Sequence, residues 1–125
     1  MIKLFVIGCL LSVCLNIATA QNAQATINFW GVKKSNYAIG DTLRIKIQVN
    51  IPPEICSDGM QKTKIYLSGL DIIEQSQWNA MDNRNWAKEM TLKVRPNKKG
   101  MGKITAFRKA DKGEFFIQEK ISIAE

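Results

Sequence analysis

A two-residue alternation of apolar and polar side chains is the feature that most limits how this chain can fold. It is clearest from Leu43 to Ile51, where every second residue is apolar and the residues between are polar. Successive side chains of a β-strand point to opposite faces, so such a segment buries one face and exposes the other. This stretch therefore predicts a central strand of a half-buried sheet.

Shorter alternating segments follow along the chain, and turn-forming residues such as Gly40-Asp41 and Pro52-Pro53 separate them. Short strands at regular spacing predict an all-β fold, a single antiparallel β-sandwich of about seven strands, with a barrel as the alternative. The apolar positions of the other segments are Ile27 and Phe29; Ile65 and Leu67; Ile72 and Ile73; Met90, Leu92 and Val94; Ile104 and Ala106; and Phe115, Ile117, Ile121 and Ile123.

Some positions do not fit this simple pattern. Glu119 falls on the apolar face of the last segment, which predicts either a β-bulge or a solvated point on that face. Residues 79–89, NAMDNRNWAKE, are compatible with a short helical turn. The basic residues of the later segments are predicted mostly on outer faces and turns; they are Lys93, Arg95, Lys98, Lys99, Lys103, Arg108, Lys109 and Lys112.

The first twenty residues have the pattern of a secretory signal peptide. Lys3 precedes an uncharged run, Leu4 to Ile17, which leads into the small-x-small sequence Ala18-Thr19-Ala20. The run has 14 residues, whereas a membrane-spanning helix needs roughly 20. We therefore expect a cleaved signal peptide at 1–20, one domain at 21–125 and no membrane span after cleavage. A retained anchor and lipid attachment at Cys14 are the alternatives.

Cysteine content and charge then limit the possible partners. Cys56 is the only cysteine after residue 20, so we expect either a small, partly buried thiol or an intermolecular disulfide. The formal net charge of +7 becomes +6 without Lys3. Because the chain is expected to be exported, we predict no nucleic-acid partner. An acidic protein surface, an anionic glycan or lipid headgroups suit the basic charge.

The sequence offers little for catalysis. It contains no histidine, which excludes Ser-His-Asp and Cys-His nucleophiles and His-containing metal sites. The segment from Asp82 to Asn85, DNRN, resembles part of a calcium loop, but Arg84 stands where an oxygen ligand is needed. We therefore expect no enzyme activity, no cofactor and no metal. A redox or hydrolytic role of Cys56 is the alternative.

The aromatic residues give the positive indication of function. Trp78 and Trp86 bracket the sequence NAMDNRN, and Trp30 lies in the first predicted strand. Exposed tryptophans beside amide and acid side chains suit stacking on a sugar or anchoring a protein partner, and core packing is the alternative. The candidate partner- or glycan-binding residues are Trp78, Trp86, Asp82, Asn83, Arg84 and Asn85.

Two longer segments resemble bacterial immunoglobulin-like modules. YAIGDTLRIKIQVN resembles their second strand, and WAKEMTLKVRPNKKGMGKITAF resembles their later hairpin, with Pro96 and Gly100 framing the turn. Together with LSGLDIIEQS, these segments are also similar to domains of Bat-type aerotolerance proteins of bacterial envelopes. The resemblance implies an immunoglobulin-like β-sandwich and, for function, an interaction at the envelope or surface. The Cys-Trp-Cys arrangement of antibody domains is absent from the sequence.

These features predict an exported, non-enzymatic binding or structural module of the bacterial envelope or surface, whether periplasmic, secreted or on the cell surface. We expect it to bind an envelope or surface protein through a sheet face, an edge strand or the Trp78–Trp86 connection. Basic side chains would steer it toward an acidic partner. A carbohydrate-binding module that uses exposed tryptophans is the alternative.

Overall fold

The computed structural model of the chain describes residues 23–55, 60–96, 100–109 and 113–124. The predicted signal peptide, Cys14, Cys56, the middle of the turn between Pro96 and Gly100, and the basic residues Lys98, Lys99 and Lys112 lie outside these residues. One 3-10 helix spans Pro53–Ile55. The strands are β1 (Gln24–Phe29), β2 (Tyr37–Ala38), β3 (Thr42–Asn50), β4 (Thr63–Ser68), β5 (Leu70–Gln75), β6 (Asn79–Ala80), β7 (Asn85–Val94), β8 (Met101–Arg108) and β9 (Phe115–Ala124).

These strands form two sheets that pack face to face. In the five-stranded sheet, β1, β3, β7 and β5 lie side by side in that order, and β6 also pairs with β7. In the four-stranded sheet the order is β2, β9, β8 and β4. The predicted β-sandwich is thus confirmed. Its described strands pair antiparallel except for β2 and β9, which form one short parallel pair.

The main core lies between the sheets and follows from the two-residue alternation. Leu43, Ile45 and Ile47 of β3 point inward and are buried. Ile104 and Ala106 of β8 are buried in the same cluster from the four-stranded sheet. Because burial of a large aliphatic side chain contributes roughly 1.5–3 kcal/mol, this interior supplies most of the driving force for folding.

A second cluster extends the core at one end of the sandwich. Its buried members are Ala23, Val49, Ile51 and Met60. Trp78 packs against both this cluster and the main core. The tryptophan therefore joins the two clusters into one continuous apolar interior.

The chain changes sheets between β4 and β5 through a single residue, Gly69. Its φ angle is 73°, in the left-handed region, where a Cβ would lie too close to the neighbouring carbonyl oxygen. Glycine therefore permits the sharp bend that sends Ser68 into one sheet and Leu70 into the other.

The structure decides between the alternatives left open for Glu119. The β9–β8 register runs without a shift from Phe115 to Ser122, so no bulge occurs there. The Glu119 carboxylate instead lies 2.8 Å from the Nζ of Lys33, and both side chains are partly exposed. The inward face of β9 is therefore solvated at this point.

Two expectations are wrong. Residues 79–89 contain no helical turn, because β6, a bent turn and the start of β7 form a hairpin there. Arg108 is not on an outer face but only 2% exposed. It shares its parity with the buried Ile104 and Ala106, and its guanidinium donates a hydrogen bond to the Ile55 carbonyl at 3.0 Å. The alternation of β8 thus places the charged Arg108 side chain in the interior.

Candidate functional site

Trp78 and Trp86 lie at the end of the five-stranded sheet where β6 pairs with β7. Trp86 is opposite Val49 in the β3–β7 register and packs against the second cluster. Trp78 comes just before β6 and contacts both clusters. Both residues are half-buried, so much of each indole surface packs against the protein interior. A binding role for the exposed remainder stays a prediction.

Residues 81–84 connect β6 to β7, and the Asp82 carboxylate organises this turn. Its Oδ1 accepts hydrogen bonds from the backbone N–H groups of Arg84 and Asn85, each at 2.8 Å. The side-chain amide of Asn85 donates to the same carboxylate. These bonds, led by that from the Arg84 N–H, favour the charged form and lower the pKa of Asp82 below its ordinary value.

The same turn is fastened to the end of β3. The Arg84 guanidinium donates to Asn50 Oδ1 at 3.2 Å, and Asn50 Nδ2 donates to Asn85 Oδ1 at 3.0 Å. The Ile51 N–H also donates to the Arg84 carbonyl at 2.8 Å. Asn83 is exposed at the tip of the turn. The hairpin thus gathers the predicted site residues, and several of their polar groups hold the turn in place.

Trp30 lies in a different part of the same sheet. Its backbone N–H donates to the Arg44 carbonyl at 3.0 Å, and the Arg44 guanidinium carbon lies 4.7 Å from the indole centroid. Arg44 and Val49, which is opposite Trp86, are about 17 Å apart along β3 at the usual rise of a strand. Trp30 therefore does not cluster with Trp86, and it is 52% exposed.

The outer face of the four-stranded sheet carries an aromatic cluster. Tyr66, Phe107 and Phe116 come from three adjacent strands, β4, β8 and β9. Phe116 is directly opposite Phe107, and the Tyr66 and Phe107 ring centroids are 5.5 Å apart. Tyr66 and Phe116 are 63% and 69% exposed, which is unusual for adjacent large aromatic side chains.

Lysines border this cluster on both sides. Lys64 is opposite Phe107, while Lys103 and Lys120 form a directly opposed pair further along the same face. Among the described outward-facing residues of β4, β8 and β9, none is acidic. We call this surface the aromatic–lysine face, defined by Lys64, Tyr66, Lys103, Phe107, Phe116 and Lys120.

Reasoning from sequence missed the aromatic–lysine face, although part of its signal is local. Phe107 is next to the inward-facing Ala106 in β8, and Phe116 is next to the inward-facing Ile117 in β9. Because neighbouring residues of a strand point to opposite faces, the alternation places both phenylalanines on the outer face. Their proximity to Tyr66 depends on strand order, which a local pattern does not contain. The sequence prediction centred on the tryptophans instead, because tryptophan is enriched among the residues that contribute most to interface binding.

The outer face of the five-stranded sheet has mixed charge. Arg44 pairs with Glu89 at 3.3 Å, and Arg95 pairs with Asp71 at 3.2 Å. A shallow depression of about 250 Å³ lies on this face. Its lining residues are Arg44, Glu74, Gln75, Ser76, Glu89 and Thr91.

Lys88 is a further cation that the alternation turns inward. It is opposite Ile47 in the β3–β7 register, and its Nζ donates to the Ser76 carbonyl at 2.5 Å. Partial burial lowers the pKa of Lys88 because desolvation disfavours the charged ammonium. The bond holds the segment that leads from β5 to Trp78 against β7.

Among the described residues, no group of three or more His, Cys, Asp or Glu side chains is placed to hold a metal ion. In the same part of the chain, no helix is long and apolar enough to cross a membrane. No protein-family model matches the chain, and no curated protein matches it.

Proposed function

We propose that this chain is an exported, non-enzymatic binding module that docks an acidic surface of another envelope or surface protein onto its aromatic–lysine face. The observation that carries the proposal is the cluster of Tyr66, Phe107 and Phe116 on an exposed sheet face, bordered by lysines and with no acid among the described outward-facing residues of β4, β8 and β9. Export is supported by the signal-peptide pattern of residues 1–20.

The aromatic cluster supplies the apolar part of such an interface. Tyr66 and Phe116 lose favourable burial while they face water, and a partner that covers them recovers it. Aromatic side chains with few rotatable bonds also lose little conformational entropy on binding. The Tyr66 hydroxyl adds a polar group that can bond to a partner at the edge of the apolar contact.

The lysines specify the charge of the partner. Lys64, Lys103 and Lys120 create a local positive potential that attracts an acidic surface and accelerates association at low salt. A second copy docked through the same face would place these ammonium groups against one another. The charge therefore favours a different, acidic protein over symmetric self-association.

The strand order supports a module of this kind. Apart from the short strands β2 and β6, the order β1-β3-β7-β5 opposite β4-β8-β9 is similar to the ABED and CFG sheets of constant-type immunoglobulin domains. This agreement supports the resemblance to bacterial immunoglobulin-like modules, whose fold implies no particular ligand. The proposed partner therefore rests on the aromatic–lysine face and not on the fold.

Capture from an envelope extract of the producing organism tests the proposal. The immobilised wild-type protein is compared with Tyr66→Ser/Phe116→Ser, which removes the aromatic contact, and with Lys103→Glu/Lys120→Glu, which reverses the charge. Lys46→Glu/Lys93→Glu on the other sheet is the matched control with the same change in net charge. We expect the control to retain one acidic protein that both variants of the aromatic–lysine face lose.

Binding of that purified partner should then weaken as salt rises, because exposed charges are screened. Equal capture by the wild-type protein and both face variants would refute the proposed face. Vesicles of phosphatidylcholine, with and without phosphatidylglycerol, provide a separate comparison. Binding only to the anionic vesicles, lost in the face variants and without any captured protein, would replace the protein partner by a membrane surface.

A further inference from the structure

We propose that the depression on the outer face of the five-stranded sheet, together with Trp30 on the other side of Arg44, is a second binding site, one that holds an uncharged oligosaccharide lying across the strands. This site is on the opposite side of the sandwich from the aromatic–lysine face. The proposed site consists of different residues, so it can be tested independently of the proposed protein partner.

A straight row of side chains crosses the sheet at this point. Trp30 is beside Arg44 on β3, Arg44 is opposite Thr91 on β7, and Thr91 is opposite Glu74 on β5. Three strand spacings give the row a length of about 14 Å. An extended chain of sugar rings fits this length better than a single ring does.

A β-bulge brings Glu74 into this row. The β5–β7 register shifts between Ile72 and Glu74, so that Glu74 and not Ile73 is opposite Thr91. Without the shift, an isoleucine would occupy the end of the row. Bulges commonly re-aim a side chain at a functional position, and here the bulge adds a carboxylate to the depression.

Trp30 provides the stacking surface at the other end. The Arg44 guanidinium covers part of the indole and is itself held by Glu89 at 3.3 Å. With this contact, Trp30 remains 52% exposed. The apolar C–H face of a sugar ring stacks on such an exposed aromatic surface.

The depression provides hydrogen-bonding groups for sugar hydroxyls. The side chains of Glu74, Gln75 and Thr91 line it and make no hydrogen bond to another described residue. A carboxylate accepts, an amide both donates and accepts, and a hydroxyl does both. These groups match a ligand whose hydroxyls donate and accept in turn.

Charge and size narrow the ligand further. Arg44 is neutralised by Glu89, so Glu74 leaves the depression with a net negative charge that disfavours an acidic glycan. Its volume of about 250 Å³ is below the roughly 300–1,000 Å³ of pockets that enclose drug-sized ligands. One ring therefore occupies the depression while a neighbouring ring stacks on Trp30.

Isothermal titration with cellohexaose, chitohexaose and maltohexaose as neutral probes, and hexagalacturonate as the acidic comparison, tests this site. We expect millimolar or tighter binding of at least one neutral probe and weaker binding of hexagalacturonate. Trp30→Ala and Glu74→Gln should each weaken binding about tenfold or more, a change of roughly 1.4 kcal/mol. Phe116→Ser on the opposite face is the control and should leave the affinity unchanged.

Far- and near-ultraviolet circular dichroism of each variant separates loss of binding from loss of folding, and Glu74→Gln replaces Trp30→Ala if the latter unfolds. The proposal is overturned if no neutral probe binds at millimolar concentration, if hexagalacturonate binds best, or if both folded variants bind as the wild-type protein does. In those cases the Trp30–Arg44 contact only stabilises the sheet.

Discussion

Lys103 and Lys120 are directly opposite each other on β8 and β9, and both point outward from the four-stranded sheet. Like charges in this cross-strand arrangement repel each other and weaken the sheet. No described acidic residue on the aromatic–lysine face offsets them. An acidic partner of the kind proposed would relieve this repulsion, and the pair would then link stability to binding.

Replacing one lysine of this pair should stabilise the free protein. Lys120→Glu converts a repulsive pair into an attractive one, and we expect the free energy of unfolding to rise by about 0.2–1 kcal/mol. Urea unfolding at low and high salt measures the gain, which should shrink as salt screens the charges. Lys46→Glu is the matched control, because Lys46 is opposite Glu89 and should lose stability. A loss in Lys120→Glu equal to that of the control would contradict the repulsion.

Arg108 and Lys109 are neighbours in sequence, but only Arg108 points into the interior. Arg108→Ala removes a large buried side chain and its bond to the Ile55 carbonyl, so we expect a loss of roughly 2–5 kcal/mol. Lys109→Ala changes an exposed side chain and should stay within about 0.5 kcal/mol. Thermal or urea unfolding gives both values. Similar effects of the two substitutions would mean that Arg108 is not buried.

The hydrogen bonds to Asp82 predict a pH dependence of stability. The folded pKa of Asp82 is lowered from 3.8, so its stabilising contribution is complete above the unfolded value. That contribution falls as pH drops through 3.8 toward the lower folded pKa. Unfolding free energies measured from neutral to acidic pH should fall less steeply for Asp82→Asn than for the wild-type protein. Parallel curves would show that this carboxylate is not held by the turn.

The three tryptophans should differ in access to solvent. Acrylamide quenches exposed indoles most strongly, so Trp30→Phe should remove the most quenchable part of the fluorescence. Trp78→Phe and Trp86→Phe each remove a half-buried indole that acrylamide quenches weakly. The fluorescence that remains in these variants should therefore be quenched more strongly, on average, than that of the wild-type protein. Stern–Volmer plots of the wild-type protein and the three variants provide the comparison. If Trp86→Phe reduced quenching more than Trp30→Phe did, Trp86 in the β6–β7 hairpin would be the more exposed indole, which would contradict the structure.

The strands and their buried faces were predictable from sequence, because alternation is a local property of the pleated backbone. Ile45, Ile47, Leu92 and Ile104 are buried as their parity predicts. The same rule also places Arg108 inside, although its charge led to the opposite expectation. Polar character is thus a weaker guide to orientation here than position within the strand.

Sequence by itself determined the all-β class and, except in β5, where Ile72 and Ile73 are both exposed, which apolar side chains face the interior, since both follow from neighbouring residues. Only the tertiary structure decided which strands are adjacent. That order brings Tyr66, Phe107 and Phe116 together, separates Trp30 from Trp86, and through a bulge turns Glu74 toward Thr91. Strand order and register depend on packing between segments far apart in the chain. The two-residue pattern within a strand does not identify the strand beside it, so the pattern alone cannot predict the order.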